Sequence, residues 1–140
     1  ATFNYWDANR TNRSPDYLHW RYVQKPENRY RIFCLEKAQK KMCWIVSNER
    51  DNESHILDII PVQQEAIMPA LLLFSMAMRE EGKKCVRLCC YGQICKHATK
   101  AGFIYREKKQ QIIFYKIDKH GPFNVDRNHW YFMHGDLDAV

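Results

Sequence analysis

Few residues in this 140-residue chain combine reactive chemistry with a spacing that would let them act on another molecule. His55 and Asp58 stand three apart in an otherwise apolar, β-branched run, residues 54–60, closed by Pro61. An imidazole titrates near neutral pH and can relay a proton, which makes His55 a candidate acid–base group. Asp58 is the sharper case, because a carboxylate in such a strand must be paired, surface-facing or functional. Strand alternation puts Ile56, Asp58 and Ile60 on one side, and a structural or surface role for Asp58 is favoured over a site role. Cys89, Cys90, Cys95 and His97 offer ligand types that suit zinc. Adjacent cysteines on a strand point to opposite faces, however, and no pair has C-x2-C spacing, so no metal is expected. His19, His97, His120, His129 and His134 lack a recognisable partner spacing. Asp136 and Asp138 would share one face if extended and would suit a substrate amine, although a solvated terminus is the commoner outcome.

The elements that must position these groups follow from hydrophobic period and punctuation. Residues 30–36 and 42–48 read as a hairpin with a polar turn over 37–41, and 54–60 as a third strand. Residues 69–81 form a helix-length apolar segment stopped by Gly82, with Leu72, Leu73, Met76 and Ala77 as its sheet-facing side. Residues 84–91 return to strand chemistry, with Val86, Leu88 and Cys90 on one face. Residues 93–101 form a short helix ended by Gly102, and Phe103 opens an aromatic hairpin running to Tyr115. A helix over 16–23 precedes the first strand. Trp20, Trp44, Trp130 and Phe103 are the expected aromatic bulk of the core or its edge.

Three strands in meander, a helix, a strand, a helix ending in Gly-Phe and two closing strands resemble the central and C-terminal part of the GNAT superfamily of N-acetyltransferases. The segment Ala98-Thr99-Lys100-Ala101-Gly102-Phe103 is similar to the family's helix-to-strand passage. The opening Asp16-Tyr17-Leu18-His19-Trp20-Arg21-Tyr22 with Pro26, and the closing Trp130-Tyr131-Phe132 with Gly135-Asp136-Leu137-Asp138, resemble a bacterial subgroup of such proteins. The resemblance covers residues 16–138 and implies an α/β fold of α+β type, with a mixed, mostly antiparallel sheet flanked by helices. It implies acyl transfer from acetyl-CoA or another acyl-CoA to a small-molecule amine, in a cleft where strands 54–60 and 84–91 splay apart. On that basis backbone groups around Asp58, Ile59 and Ile60 would hold the pantetheine arm. Gln63, Gln64 and Ala66 would lie near the pyrophosphate, and His55 or Asp58 would relay the amine proton.

Two departures from the family pattern set up an alternative. The family's pyrophosphate loop, Q/R-x-x-G-x-G/A, is replaced by Pro61-Val62-Gln63-Gln64-Glu65-Ala66-Ile67-Met68, which has no glycine and places Glu65 where a phosphate would be repelled. Pro69 removes a further donor at the start of the helix. The tyrosine that protonates the leaving thiolate in many members is Ala98 here, and Tyr91 and Tyr105 are the nearest replacements. The alternative is a non-catalytic GNAT-like structural or binding module. It would work with a second GNAT-like half or as a homodimer, since the family's first strand and helix have no counterpart before residue 16.

Composition is consistent with one domain over residues 1–140. The length suits a single core, and 46% hydrophobic with 14% aromatic residues argues against disorder. The longest apolar run, 66–78, holds Pro69 and Ser75 and is shorter than the ~20 residues of a membrane span. No basic-then-apolar leader opens the sequence, and Ala1 in place of Met reads as a trimmed chain, so a cytoplasmic setting with six reduced cysteines is expected. A Cys34–Cys43 bridge is the alternative if the hairpin turns at Ala38-Gln39. The net charge of +6 concentrates lysines and arginines in the second half among Tyr91, Tyr105 and Tyr115, an arrangement open to nucleic acid. No nucleic-acid motif accompanies it, so a solvated surface is favoured and a basic nucleic-acid-binding domain is the third reading.

Overall fold

The computed structural model describes residues 13–24, 29–106 and 131–133, with the backbone alone at 131 and 132. Strands β1 (Tyr30–Lys37), β2 (Lys40–Arg50), β3 (Glu53–Pro61) and β4 (Cys85–Leu88) form one sheet in that order, antiparallel except for the parallel β3–β4 pair. Helix α2 (Ile67–Glu80) makes the crossover between β3 and β4. β5 (Cys90–Gly92) leads into α3 (Ile94–Lys100) and pairs antiparallel with β6 (Tyr131–Met133). At the start, the Ser14 hydroxyl accepts from the Tyr17 N–H at 3.2 Å and caps α1 (Pro15–Leu18), which continues into a π-helical turn, His19–Val23. The mixed α+β architecture expected from the sequence is the observed one.

The β1–β2 turn is tighter than the polar segment 37–41 implied. It comprises Ala38 and Gln39 alone, at φ 49° and 63°, the paired left-handed conformation of a type I′ hairpin. Just beyond it the register slips between Leu35 and Glu36, so Leu35 faces Cys43 and Cys34 faces Trp44. The expected opposition of Cys34 and Cys43 is therefore corrected. One inserted residue moves each cysteine out of register and turns the side chains to opposite faces, Cys43 buried and Cys34 exposed.

A second irregularity reorganises β3. Val46 pairs with Asp58 and Ser47 with Ile56, leaving Leu57 as the extra residue of a bulge. Ile56 and Ile59 consequently face the α2 side with Cys43 and Ile45, whereas Leu57 joins Val46 and Tyr22 on the other side, with Ile60 packed against them. The common face expected for Ile56, Asp58 and Ile60 is broken at that point. Tyr30 stacks edge-on against Tyr22 at 5.1 Å and extends the smaller cluster.

Helix α2 buries Ile67, Ala70, Leu71, Phe74 and Met78, and Phe33 meets Phe74 edge-to-face at 5.0 Å. This stripe replaces the expected one. Leu72, Leu73 and Met76 are 44%, 49% and 52% exposed, and Ala77 packs only partly against the core. On a helix apolar over most of its circumference the period alone does not select a face, and the fit to β2 and β3 does.

Both longer helices end identically. The Gly82 and Gly102 N–H groups donate to the Arg79 and Thr99 carbonyls, and those of Lys83 and Phe103 to the Met78 and Ala98 carbonyls, with the glycines at φ 81° and 94°. Each is a Schellman closure that requires a left-handed residue. Phe103 then packs against the main core. Cys89 interrupts the expected strand 84–91, and residues 103–106 carry no sheet pairing. Trp20 is 56% exposed rather than core, Trp44 is half-buried, and Trp130 lies outside the described residues, as does the expected hairpin beyond Arg106.

Candidate functional site

The parallel ladder between β3 and β4 is short. It runs from Glu53 opposite Cys85 to Ile56 opposite Leu88, and there it stops. Residues 57–61 of β3 continue beside β2, while Cys90–Gly92 turn to pair with Tyr131–Met133. Two neighbouring parallel strands thus part at their carboxyl ends next to a crossover helix, the position at which open sheets of this kind admit ligands. The bulge at Leu57 lies at the same point, where it bends β3 and re-aims its backbone.

The loop after β3 decides what could be held there. Val62 N–H donates to the Met42 carbonyl at 2.9 Å, which pins the start of the loop to β2. Residues Gln64–Ala66 then form a single 3-10 turn leading into α2. In that turn the Ala66 N–H donates to Gln63 O at 3.1 Å, and the Ile67 N–H to Gln64 O. Amides that would face a pyrophosphate in a glycine-rich loop are closed on the loop's own carbonyls. Gln63 and Glu65 are exposed, Gln64 is half-buried and Ala66 is buried.

Asp58 is 1% exposed, and its carboxylate is heavily engaged. Arg13 Nε lies 2.8 and 2.9 Å from its two oxygens, the Tyr22 hydroxyl donates at 3.3 Å, and the Ile59 N–H donates at 3.0 Å. The Arg13 side chain is 1% exposed. Burial first, and the Asp58 charge second, hold the Tyr22 phenol far above its ordinary value, so it stays a donor across the accessible pH range. This arrangement ties the segment before α1 to the sheet. The Ile59 N–H, expected to meet a pantetheine arm, is spent on Asp58, whereas Ile60 is half-buried on the Tyr22 side.

His55 is not near this cluster. It sits in the paired half of β3, opposite Asn48 and Arg87, with Nε2 3.2 Å from Glu53 Oε2. Three residues of extended strand, about 10 Å, separate it from Asp58. Tyr91 lies on β5, half-buried, opposite Phe132.

The fold brings together two groups that sequence spacing did not link. Gln64 Nε2 is 3.3 Å from His97 Nε2, joining the loop after β3 to α3. With the amide donating, the ring proton resides on Nδ1. Burial, and then Lys100, lower the His97 pKa from its ordinary value, so the ring is neutral at physiological pH. Cys90 and Cys95 also meet, sulfur to sulfur, at 3.2 Å. Arg13 and Tyr22 were equally invisible as partners of Asp58, being 45 and 36 residues away. Their one signal was indirect, in that a lone carboxylate in an apolar strand calls for a cation and donors from somewhere else in the chain. Among the described residues no group of three or more His, Cys, Asp or Glu gathers to hold a metal ion, and no helix is long and apolar enough to cross a membrane. Comparison with family models, with curated proteins and with solved structures finds no match to this chain.

Proposed function

We propose that the chain is a GNAT-like domain acting as a non-catalytic binding module, working with a second GNAT-like half or a second copy of itself. The observation that carries this reading is the closed loop. With the Ala66 and Ile67 amides turned onto Gln63 and Gln64 and the Glu65 carboxylate exposed beside them, the parting strands lack the phosphate anchor that acyl-CoA binding needs. Ala98, buried in the core, has no hydroxyl to offer a leaving thiolate at the place where the family pattern has a tyrosine. Calorimetric titration with acetyl-CoA tests it: the dissociation constant is expected to be weaker than about 100 μM, at the poor end of the micromolar-to-millimolar range common for enzyme substrates. Low-micromolar binding overturns the module reading and restores the acyltransferase one.

The acyltransferase reading keeps the support of two observations, the strands that part after Ile56 and Leu88 and the neutral His97 imidazole held by Gln64. In it, His97 would have to release Gln64 before its Nε2 lone pair could take the proton of a small-molecule amine in place of His55 or Asp58, with Tyr91 of β5 as the thiolate's donor.

A further inference from the structure

We propose that Cys90 and Cys95 are a reversible dithiol–disulfide pair, a redox-formed staple joining β5 to the first turn of α3. All six cysteines are thiols in the structure, and this pair stands apart from the rest by geometry. The two sulfurs are 3.2 Å apart, the Cys95 thiol also points at the Cys90 carbonyl at 3.6 Å, and both residues are half-buried rather than sealed. A disulfide bond is about 2.05 Å long, so closing it needs roughly 1 Å of movement. The turn that brings the sulfurs together is built for the purpose of reversing the chain: Gly92, at φ 83°, ends β5 and Gln93 opens α3. The other cysteines lack these features. Cys34 and Cys43 are on opposite faces of the hairpin, and burial pushes the Cys43 thiol up to about 12, which keeps it protonated and unreactive.

The chemistry is ordinary thiol–disulfide exchange with a low-molecular-mass disulfide such as oxidised glutathione. One protein thiolate attacks a glutathione sulfur, breaking the S–S bond and releasing one glutathione thiolate, which takes up the proton that the protein thiol lost. The second protein thiolate then attacks the mixed disulfide, forms the Cys90–Cys95 bond and releases the second glutathione. The protein gives up two electrons and two protons, and the oxidant becomes two thiols. Because His97 is two residues beyond Cys95 on the same short helix and touches Gln64, the staple would fix the helix that walls the parted strands. The inference does not depend on whether acyl-CoA binds.

The 140-residue chain is equilibrated in glutathione buffers of graded oxidised-to-reduced ratio, quenched in acid and alkylated. Chymotryptic cleavage after Tyr91 separates the two cysteines, so a bridge shows as two joined peptides with a mass two hydrogens lower. Wild type and Cys89→Ser are expected to lose two alkylatable thiols and to yield the Cys90–Cys95 joined peptides, and thioredoxin or dithiothreitol is expected to restore both thiols. Cys90→Ser and Cys95→Ser are expected to form at least about tenfold less internal disulfide at the same ratio. A bridge involving Cys89, stable glutathione adducts without loss of two hydrogens, or thiols that react only after urea is added would each overturn the proposal. Tandem mass spectrometry of the wild-type joined peptides, locating which of Cys89 and Cys90 is alkylated, gives the answer even if a serine variant fails to fold.

Discussion

Glu53 and Asp58 stand five residues apart on one strand, and each grips an arginine from a distant part of the chain. Glu53 takes Arg87 in a two-pronged contact, Nε at 2.6 Å and Nη2 at 2.8 Å, with His55 on the same carboxylate. Its surroundings are wet, and its neighbours are further surface pairs, Arg31 with Glu49 and Glu81, and Lys83 with Glu49. Asp58 takes Arg13 at a similar distance, but both side chains are 1% exposed. The difference lies in the medium rather than the contact. Water competes for exposed charges and leaves an ion pair worth little, whereas two buried charges have lost their hydration and depend on one another. The paired end of β3 is thus a solvated charge network, and the end that parts from β4 is a buried polar anchor.

The sharpest way to break this contrast is to remove one member of the buried pair. Asp58→Ala should cost about 3–5 kcal/mol of unfolding free energy, because it removes the buried carboxylate to which Arg13 Nε and the Tyr22 hydroxyl donate. Urea titration followed by circular dichroism measures it, and a loss below about 1 kcal/mol would show that water reaches Arg13. The double change Arg13→Met with Asp58→Leu should recover most of that loss, since apolar side chains of similar volume can replace a buried pair. A double variant as weak as the single one would place the value of the site in something other than charge compensation.

Helix closure offers a control that should not distinguish the two ends. Gly82 ends α2 and Gly102 ends α3, and a Cβ at either would meet no atom within 4 Å, so only the positive φ is penalised. Gly82→Ala and Gly102→Ala should each cost about 1 kcal/mol, measured as shifts in urea midpoint. Unequal losses would mean that one cap carries tertiary load as well.

The smallest effect is expected at the exposed pair. Glu53→Gln should leave the urea midpoint within error of wild type at physiological salt. The Arg87 guanidinium, chiefly, holds the Glu53 carboxyl down from 4.5 to about 2. Since the folded value lies below the unfolded one, any stability from Glu53 is present above pH 4.5 and is lost as the pH falls towards 2. Comparing acid titrations of wild type and Glu53→Gln checks the sign, and added salt should shrink the difference. A large, salt-independent difference would put Glu53 in the same class as Asp58.

How much of this was legible before folding depends on the range of the interaction. The element order from β1 to α3, the helix stops at Gly82 and Gly102 and the mixed sheet all follow from hydrophobic period, β-branching and residues that tolerate special backbone angles. Those are local properties, carried within a few residues of sequence. Gly102-Phe103 is instructive here, because the pair on which a family resemblance leaned is fully accounted for as a Schellman closure with its apolar contact. Only the tertiary structure decided which stripe of α2 is buried, because apolar residues lie on several of its sides and the sheet selected among them. It also decided both register slips, one parting Cys34 from Cys43 and the other parting Ile56 from the face of Asp58 and Ile60, since a bulge is fixed by how two strands fit rather than by either alone. The partners of the reactive groups, Arg13 for Asp58, His97 for Gln64 and Cys95 for Cys90, were likewise tertiary decisions. The need for a partner is written in a side chain's polarity, but the identity of that partner is settled when the chain closes on itself.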